Sequence, residues 1–313
     1  MSDYRINVGI DLGTTNSAIA RIKGDKVEVV QIGQSFILPS CVHFSKNGKM
    51  FVGLKAFNRK IAAKEGDRNN TFSEFKRTMG HETIYDSSHS GKEYSSEELS
   101  SFVLQELKKS ITDINVNSAV VTVPADFEQT QIDATKKAAT LAGFDYCELL
   151  PEPIAASMAY LDENKELEGV WLVFDLGGGT FDAALVSKKE GIMEVVDTLG
   201  DNHLGGKDFD EKIVDDIVIP HLLEKYEFSE TLNDNKKKGT LRNYLKCFAE
   251  QTKISLSDNE SVIFETDDDI LDDNGEDVTL QLEISRNDYI KIIKKQITRA
   301  IKISKDLLAN NKL

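Results

Sequence analysis

Ile10-Asp11-Leu12-Gly13-Thr14-Thr15-Asn16 has a counterpart farther along the chain, Phe174-Asp175-Leu176-Gly177-Gly178-Gly179-Thr180, and this repetition decides the fold. Each copy follows a strand-like apolar run, residues 6–10 or 170–174, and precedes another, residues 18–22 or 183–186. Both read as β-turn-β hairpins. The two aspartates stand 164 positions apart, a separation that suits an internal duplication with equivalent hairpins facing each other across a cleft. Glycine and small hydroxyl residues let backbone N–H groups come close to a phosphate. An aspartate at the strand end repels phosphate but suits a hydrated Mg2+ that bridges phosphate oxygens. One such turn alone is most often a plain hairpin. The pair points to a nucleotide's phosphates held between two lobes.

Composition narrows the class. A chain of 313 residues, 40% hydrophobic, can bury a substantial core and has the length of about two domains. Its formal charge of −15, from 38 basic and 53 acidic side chains, opposes nonspecific binding to nucleic acid or an anionic membrane, since both require a positive field. Cys41, Cys147 and Cys247 form no Cys-x-x-Cys pair and no disulfide or zinc framework, which fits a reducing cytoplasm. The first strand begins within a few residues of Met1, so no signal or transit peptide is expected, and no apolar stretch approaches membrane-spanning length. The expectation is a cytoplasmic protein with no nucleic-acid and no membrane partner.

Between the hairpins, residues 41–44 and 49–52 read as a strand pair turning at Gly48, and the polar stretch 65–71 as a loop delivering Phe75-Lys76. Ser95 or Ser96, with Glu97 or Glu98, caps a helix whose apolar positions Leu99, Val103, Leu107 and Ile111 recur every four residues. Residues 119–123 read as a buried strand, and Asp126-x-x-Gln129 as the capping box of a helix closing at Gly143. Strands alternating with helices indicate an α/β architecture. After residue 206 the pattern predicts helices over 208–226 and 240–256 separated by a Lys236-Lys237-Lys238 loop. A hairpin turning at Asn274-Gly275 is predicted between strands 262–264 and 278–283. Eight acidic residues between 265 and 277 read as a solvated surface, with a cation-binding or basic-partner patch as the sharper alternative. Residues 286–308 read as an amphipathic helix with its stripe at Tyr289, Ile293, Ile297, Ala300, Ile301 and Leu308.

Six motifs, in order, resemble the N-terminal ATPase domain of the 70-kDa heat-shock (DnaK-type) chaperones. Beyond the two hairpins with their flanking residues, they are Phe75-Lys76-Arg77-Thr78-Met79-Gly80, Val121-Thr122-Val123-Pro124-Ala125, Pro151-Glu152-Pro153-Ile154-Ala155-Ala156 and His203-Leu204-Gly205-Gly206-Lys207-Asp208-Phe209-Asp210. The resemblance implies an α/β, actin-like (ribonuclease H-like) duplicated two-lobe fold. Lobe I would span residues 1–168, with an upper subdomain around 40–112. Lobe II would span 169–313 and be incomplete, with core strands at 169–205 and an upper subdomain at 206–313.

The resemblance further implies ATP/ADP, Mg2+ and, as a further cation, K+. Lys76, Glu152, Asp175, Thr180 and Asp182 are its catalytic candidates, and Asp11 and Asp175 would hold the metal through water. Gly13, Thr14, Thr15, Asn16, Gly177, Gly178, Gly179, Thr180, Gly205 and Gly206 would cradle phosphates. Glu250, Lys253 and Ser257 share one helical face and by this resemblance would hold adenosine; their spacing alone reads more often as a surface ion pair. Implied partners are a J-domain cochaperone, a nucleotide-exchange factor and unfolded clients bound by a peptide-binding domain. Two positions depart from the family pattern: Asp126 stands where it has tyrosine and Ile132 where it has arginine, which touches interdomain coupling more than ATP binding. The Gly-Gly-rich segment that closes the family's adenosine site has no counterpart here, which predicts an exposed edge on the second sheet. The leading expectation is a chaperone ATPase module. A low-turnover nucleotide-binding scaffold or cochaperone-like protein is the alternative, and a small-molecule kinase or actin-like filament protein shares only the fold.

Overall fold

The computed structural model describes residues 6–24, 26–62, 70–162, 167–266 and 270–313. Most of the polar loop at 65–71, and Asp267, Asp268 and Asp269 of the acidic segment, lie outside the described residues.

The first repeated stretch forms β1 (Val8–Asp11) and β2 (Asn16–Lys23), an antiparallel hairpin with Asp11 opposite Ala18. The sheet continues to β3 (Lys26–Val29), with β4 (Leu38–Pro39) also pairing with β2. A three-stranded antiparallel sheet follows, built from β5 (Cys41–Phe44), β6 (Met50–Val52) and β7 (Thr71–Ser73), with α1 (Leu54–Ala62) between the last two. Gly48 turns between β5 and β6 at φ 76°, a backbone conformation costly for any residue with a Cβ. A short 3-10 turn, Phe75–Thr78, then precedes the hairpin of β8 (Tyr85–Ser87) and β9 (Lys92–Tyr94).

The helix α2 (Ser96–Lys109) opens on Ser95, whose Oγ accepts from Glu98 N–H at 3.3 Å while the Glu98 carboxylate accepts from Ser95 N–H at 2.8 Å. Leu99, Val103 and Leu107 are fully buried, and Ile111 is buried just beyond the helix end. The strand β10 (Ser118–Val123) runs parallel to β1, and β11 (Tyr146–Pro151) parallel to β10, giving the order β11-β10-β1-β2-β3. Between them, α3 (Gln129–Leu141) starts two residues later than the sequence pattern predicts: Gln131 reaches back to Glu128 N–H at 2.9 Å. Asp126 is thereby released from capping and faces Asp182 instead. The helices α2 and α3 cover this sheet with one apolar core that runs from Val8 to Phe144.

After α4 (Glu152–Asp162), the second repeated stretch forms β12 (Gly169–Leu176) and β13 (Phe181–Lys189), with Asp175 opposite Asp182, followed by β14 (Ile192–Asp201). Among the described residues this antiparallel sheet has three strands, and β12 leaves Val170, Leu172 and Phe174 exposed along its course. The predicted helix over 208–226 is three segments, α5 (Gly206–Ile213), a π turn (Val214–Val218) and α6 (Ile219–Leu223). Pro220 has no N–H for an ordinary helical bond, and the wider turn just before it, closed by Ile219 N–H to Val214 O, absorbs that loss.

After α7 (Ser229–Asn233) comes α8 (Asn235–Ser255), which contains Lys236, Lys237 and Lys238 in its first turns, so they are not the predicted loop. Asp234 supplies the reason, accepting from Lys236 N–H at 2.8 Å and Lys237 N–H at 2.9 Å. The late hairpin pairs β15 (Ser261–Glu265) with β16 (Gln281–Ser285), and β16 starts three residues later than predicted. Asn274-Gly275 turns a smaller loop closed by a bridge between Leu271 and Asp277. Two of the acidic residues are structural: Asp273 accepts from the backbone of Glu230 and Thr231, and Asp272 from that of Glu227, tying this loop to the start of α7. Finally α9 (Arg286–Asn310) buries Ile293, Ala300, Ser304 and Leu307, a face rotated so that Ile301 is largely exposed.

Candidate active site at the paired turns

The two equivalent turns meet. Asp11, Gly13, Thr14, Thr15 and Asn16 from the first, and Asp175, Gly177, Gly178 and Thr180 from the second, line one cavity of about 460 Å3 with Lys76, Thr122, Glu152, Ala155 and Ala156. The first turn is tied internally by Gly13 N–H donating to Ser17 Oγ at 3.2 Å, the second by Gly177 N–H donating to Thr180 O at 2.9 Å. Approach is close: a Cβ at Gly178 would overlap Thr15 Oγ1 and lie 2.8 Å from Thr15 Cβ. Gly205 closes the second turn from behind, where a Cβ would lie 2.7 Å from Gly179 N and 2.8 Å from Gly178 C. Gly206 N–H and Lys207 N–H donate to the carbonyls of Gly177 and Gly178 at 2.9 and 2.8 Å, fastening the turn to the start of α5. Thr15 Oγ1 is buried between the turns with no hydrogen-bond partner, an acceptor and donor left for a ligand.

Lys76 enters from the 3-10 turn, which buried Phe75 anchors to the core of the first sheet. Among the described residues it is the only basic one lining the cavity, and its Nζ donates to Glu152 Oε1 at 2.7 Å. Glu74, just before the turn, adopts the left-handed conformation at φ 63°. Its carboxylate accepts from Lys246 of α8 at 3.3 Å, and Lys246 also donates to Glu211 at 2.8 Å. Arg77 completes the bracket, donating from Nη2 to Gly179 O at 2.6 Å and to Asp208 at 2.8 Å. Three charged residues of one short turn thus face three places: α8, the cavity, and the second glycine turn. Sequence reasoning singled out Lys76 alone. Arg77 and Asp208 stand inside motifs already quoted, yet only tertiary contact reveals that they meet.

Carboxylates crowd the rest of the site. Burial raises the Asp11 carboxyl above its ordinary range, an effect Lys76 partly offsets and Glu152 reinforces. Asp175 is raised by burial and by its neighbours Glu152 and Asp11. Asp182 is pushed up to about 7, chiefly by burial and then by Asp126 and Glu152. The Asp126 carboxyl, beside Asp182, is also raised above its ordinary range, chiefly by burial. Thr122 Oγ1 donates to Asp11 at 3.1 Å and orients it.

Glu250, Lys253 and Ser257 do not line this cavity. Glu250 and Lys253 lie in a separate charged cluster behind Gly206, and the Ser257 carbonyl accepts from Arg286 at 3.2 Å.

The description "Hsp70 protein" belongs to the family model that matches residues 7–313. The chain belongs to the Hsp70 family. It is similar to the chaperone protein DnaK of Thermosipho melanesiensis, with 42% identity over 255 residues that cover 80% of this chain and 41% of that protein. It is also similar to the DnaK of Thermotoga neapolitana, 37% identical over 289 residues, covering 90% of this chain and 46% of the relative. The chain spans less than half the length of these curated relatives. Its paired hairpins on separate sheets are the actin-like architecture of Hsp70 proteins. Among the described residues, no helix is long and apolar enough to cross a membrane.

Proposed function

We propose that this chain is an Hsp70-type chaperone's nucleotide-binding module, hydrolysing ATP to ADP with Mg2+ in the cavity between the paired turns. The observation that carries this reading is the convergence of Asp11, Asp175, Lys76 and Glu152 on the cavity formed by both glycine turns. The residues fit the ligand. Glycines whose Cβ atoms would collide form the cradle, the Thr15 hydroxyl is buried without a partner where the turns meet, and two hard carboxylate donors from opposite turns suit Mg2+. Asp11 and Asp175 would hold the Mg2+ through water, and the ion would supply neutralising charge to the phosphates.

The chain's own groups do the rest. Backbone N–H groups of the turns orient the phosphates, and Lys76 faces the γ-phosphate end, stabilising the charge that develops as water attacks in line. Glu152 holds Lys76 in that position. Asp182, whose carboxyl burial pushes up to about 7, would orient water beside Thr180 at the turn's end. The lobes divide at residues 168 and 169, and closure across the cleft is the movement that clients, a J-domain cochaperone and an exchange factor would act upon in the cytoplasm.

The metal assignment has a direct test. Asp11→Asn with Asp175→Asn is expected to raise the Mg2+ concentration needed for half-maximal hydrolysis by about tenfold or more, the usual effect of removing groups that hold metal-bound water. A Mg2+ titration superimposable on that of the unaltered chain would place the metal elsewhere.

A further inference from the structure

Glu74 takes no part in the mechanism above and does not line the cavity, yet it opens the turn that delivers Lys76 two residues later. Its φ of 63° and ψ of 11° lie in the left-handed region, which residues with a Cβ rarely adopt, and its side chain makes no capping bond to the turn. Among the described residues, the other two non-glycine positions with positive φ are Glu190, in the turn between β13 and β14, and Lys312, beside Leu313. Glu74 alone holds this conformation next to the candidate site.

What holds it there comes from a distance. The Glu74 carboxylate accepts from Lys246 Nζ at 3.3 Å, 172 positions away, and lies 3.8 Å from Arg77. Lys246 is itself fixed by its bond to Glu211 at 2.8 Å. Its helix α8 packs Tyr244, Leu245 and Phe248 into a core with Phe228 and Phe264, separate from the core that anchors Phe75. Burial alone would raise the Glu74 carboxyl, but Lys246, then Lys207, Lys60 and Arg77, outweigh it and hold the group below its ordinary range, so it stays charged. With side chains 21% and 11% exposed, the Glu74–Lys246 pair is screened less than a surface pair. It ties two cores together at the point where the backbone is least comfortable.

We propose that Glu74 is a positioning residue: tied to Lys246, it keeps residue 74 left-handed and so aims Lys76 at the reacting phosphate only while α8 lies against the turn. The inference rests on the reading of the cavity as an ATP-hydrolysing site. Once released, residue 74 relaxes to a commoner conformation, the first peptide of the turn rotates, and the Lys76 ammonium leaves its productive position.

In single turnover, Lys246→Met is expected to slow hydrolysis by about tenfold, the factor that 1.4 kcal/mol produces, and to change the Mg-ATP dissociation constant by less than about threefold, since neither partner lines the cavity. Adding Glu74→Gly or Glu74→Ala separates posture from charge. Both remove the carboxylate left unpaired, but only glycine keeps a positive φ without strain. With glycine the rate should return to within about threefold of the unaltered chain, and with alanine it should stay about tenfold low. An unslowed Lys246→Met, or equal rates in the two double variants, overturns the inference and leaves the assignment of the cavity standing. An unaltered chain that does not hydrolyse ATP overturns that assignment and the inference together. If Lys246→Met loses the folded circular dichroism spectrum, the single variants Glu74→Gly and Glu74→Ala decide: glycine is expected to be faster by about fivefold or more, and equal rates overturn the inference.

Discussion

Lys76→Ala is expected to lower single-turnover ATP hydrolysis by about 10²–10³-fold while weakening Mg-ATP binding by less than about tenfold. The first figure is what removing one preorganised charge or donor at a reacting oxyanion costs, about 3–4 kcal/mol. The second follows from where Lys76 sits. Its ammonium is already hydrogen-bonded to Glu152 at 2.7 Å, and the phosphate cradle proposed above is made of backbone in both turns. Lys76 gains most when charge shifts during the reaction, so its loss falls on the transition state. The substitution also strips the cavity of the one basic residue among its described lining and leaves Glu152 beside Asp11 and Asp175 unopposed. Part of any binding loss is therefore repulsion from Glu152, and adding Glu152→Gln should recover that part without restoring hydrolysis. Equal loss of binding and hydrolysis in Lys76→Ala would defeat the assignment.

Gly178→Ala is expected to reduce hydrolysis at least as strongly, through geometry and not charge. The added methyl would occupy the space of Thr15 Oγ1 and press on Thr15 Cβ at 2.8 Å, driving the two turns apart. A displacement of about 1 Å in a positioned reaction costs on the order of 10²-fold. The same geometry gives a rescue. Thr15→Gly removes both clashing atoms, leaving the backbone N of residue 15 nearest at 3.7 Å, so the double variant should let the turns close again and recover the part of the loss due to their separation, though without the Thr15 hydroxyl. Gly205→Ala offers a contrast, because its obstacles are the backbone N and C atoms of Gly179 and Gly178, which no side-chain change relieves. Stopped-flow measurement of hydrolysis in the single and double variants separates these cases. An unaffected Gly178→Ala would mean that the turns do not approach during turnover.

The duplicated hairpins, the capped helix over Ser95 and Glu98 and the buried strand at Ser118–Val123 were legible in the sequence because each depends on local pattern: alternation, a capping pair, an apolar run. The glycines where the two turns meet were legible for a related reason, since close approach demands glycine at fixed places along the chain. What pattern did not reveal depends on distant partners. Asp126 has the sequence context of a cap, yet Gln131 caps Glu128 and the aspartate meets Asp182, 56 positions later. Asp272 and Asp273 read as solvated charge and instead satisfy backbone donors at the start of α7. Arg77 and Lys207 stand beside recognised residues, but their partners Asp208, Gly179 and Glu250 come from other elements. Lysines at 236–238 suggested a loop because charge runs are usually solvated; one aspartate cap made them helical.

The most direct test of the central claim is isothermal titration of the 313-residue chain with ATP, with and without Mg2+, paired with single-turnover hydrolysis on the same sample. The account predicts one Mg2+-dependent ATP equivalent per chain and slow conversion to ADP and phosphate. A fully folded chain that takes up no ATP at millimolar concentration would contradict it, and would mean that the paired turns meet without forming a phosphate site.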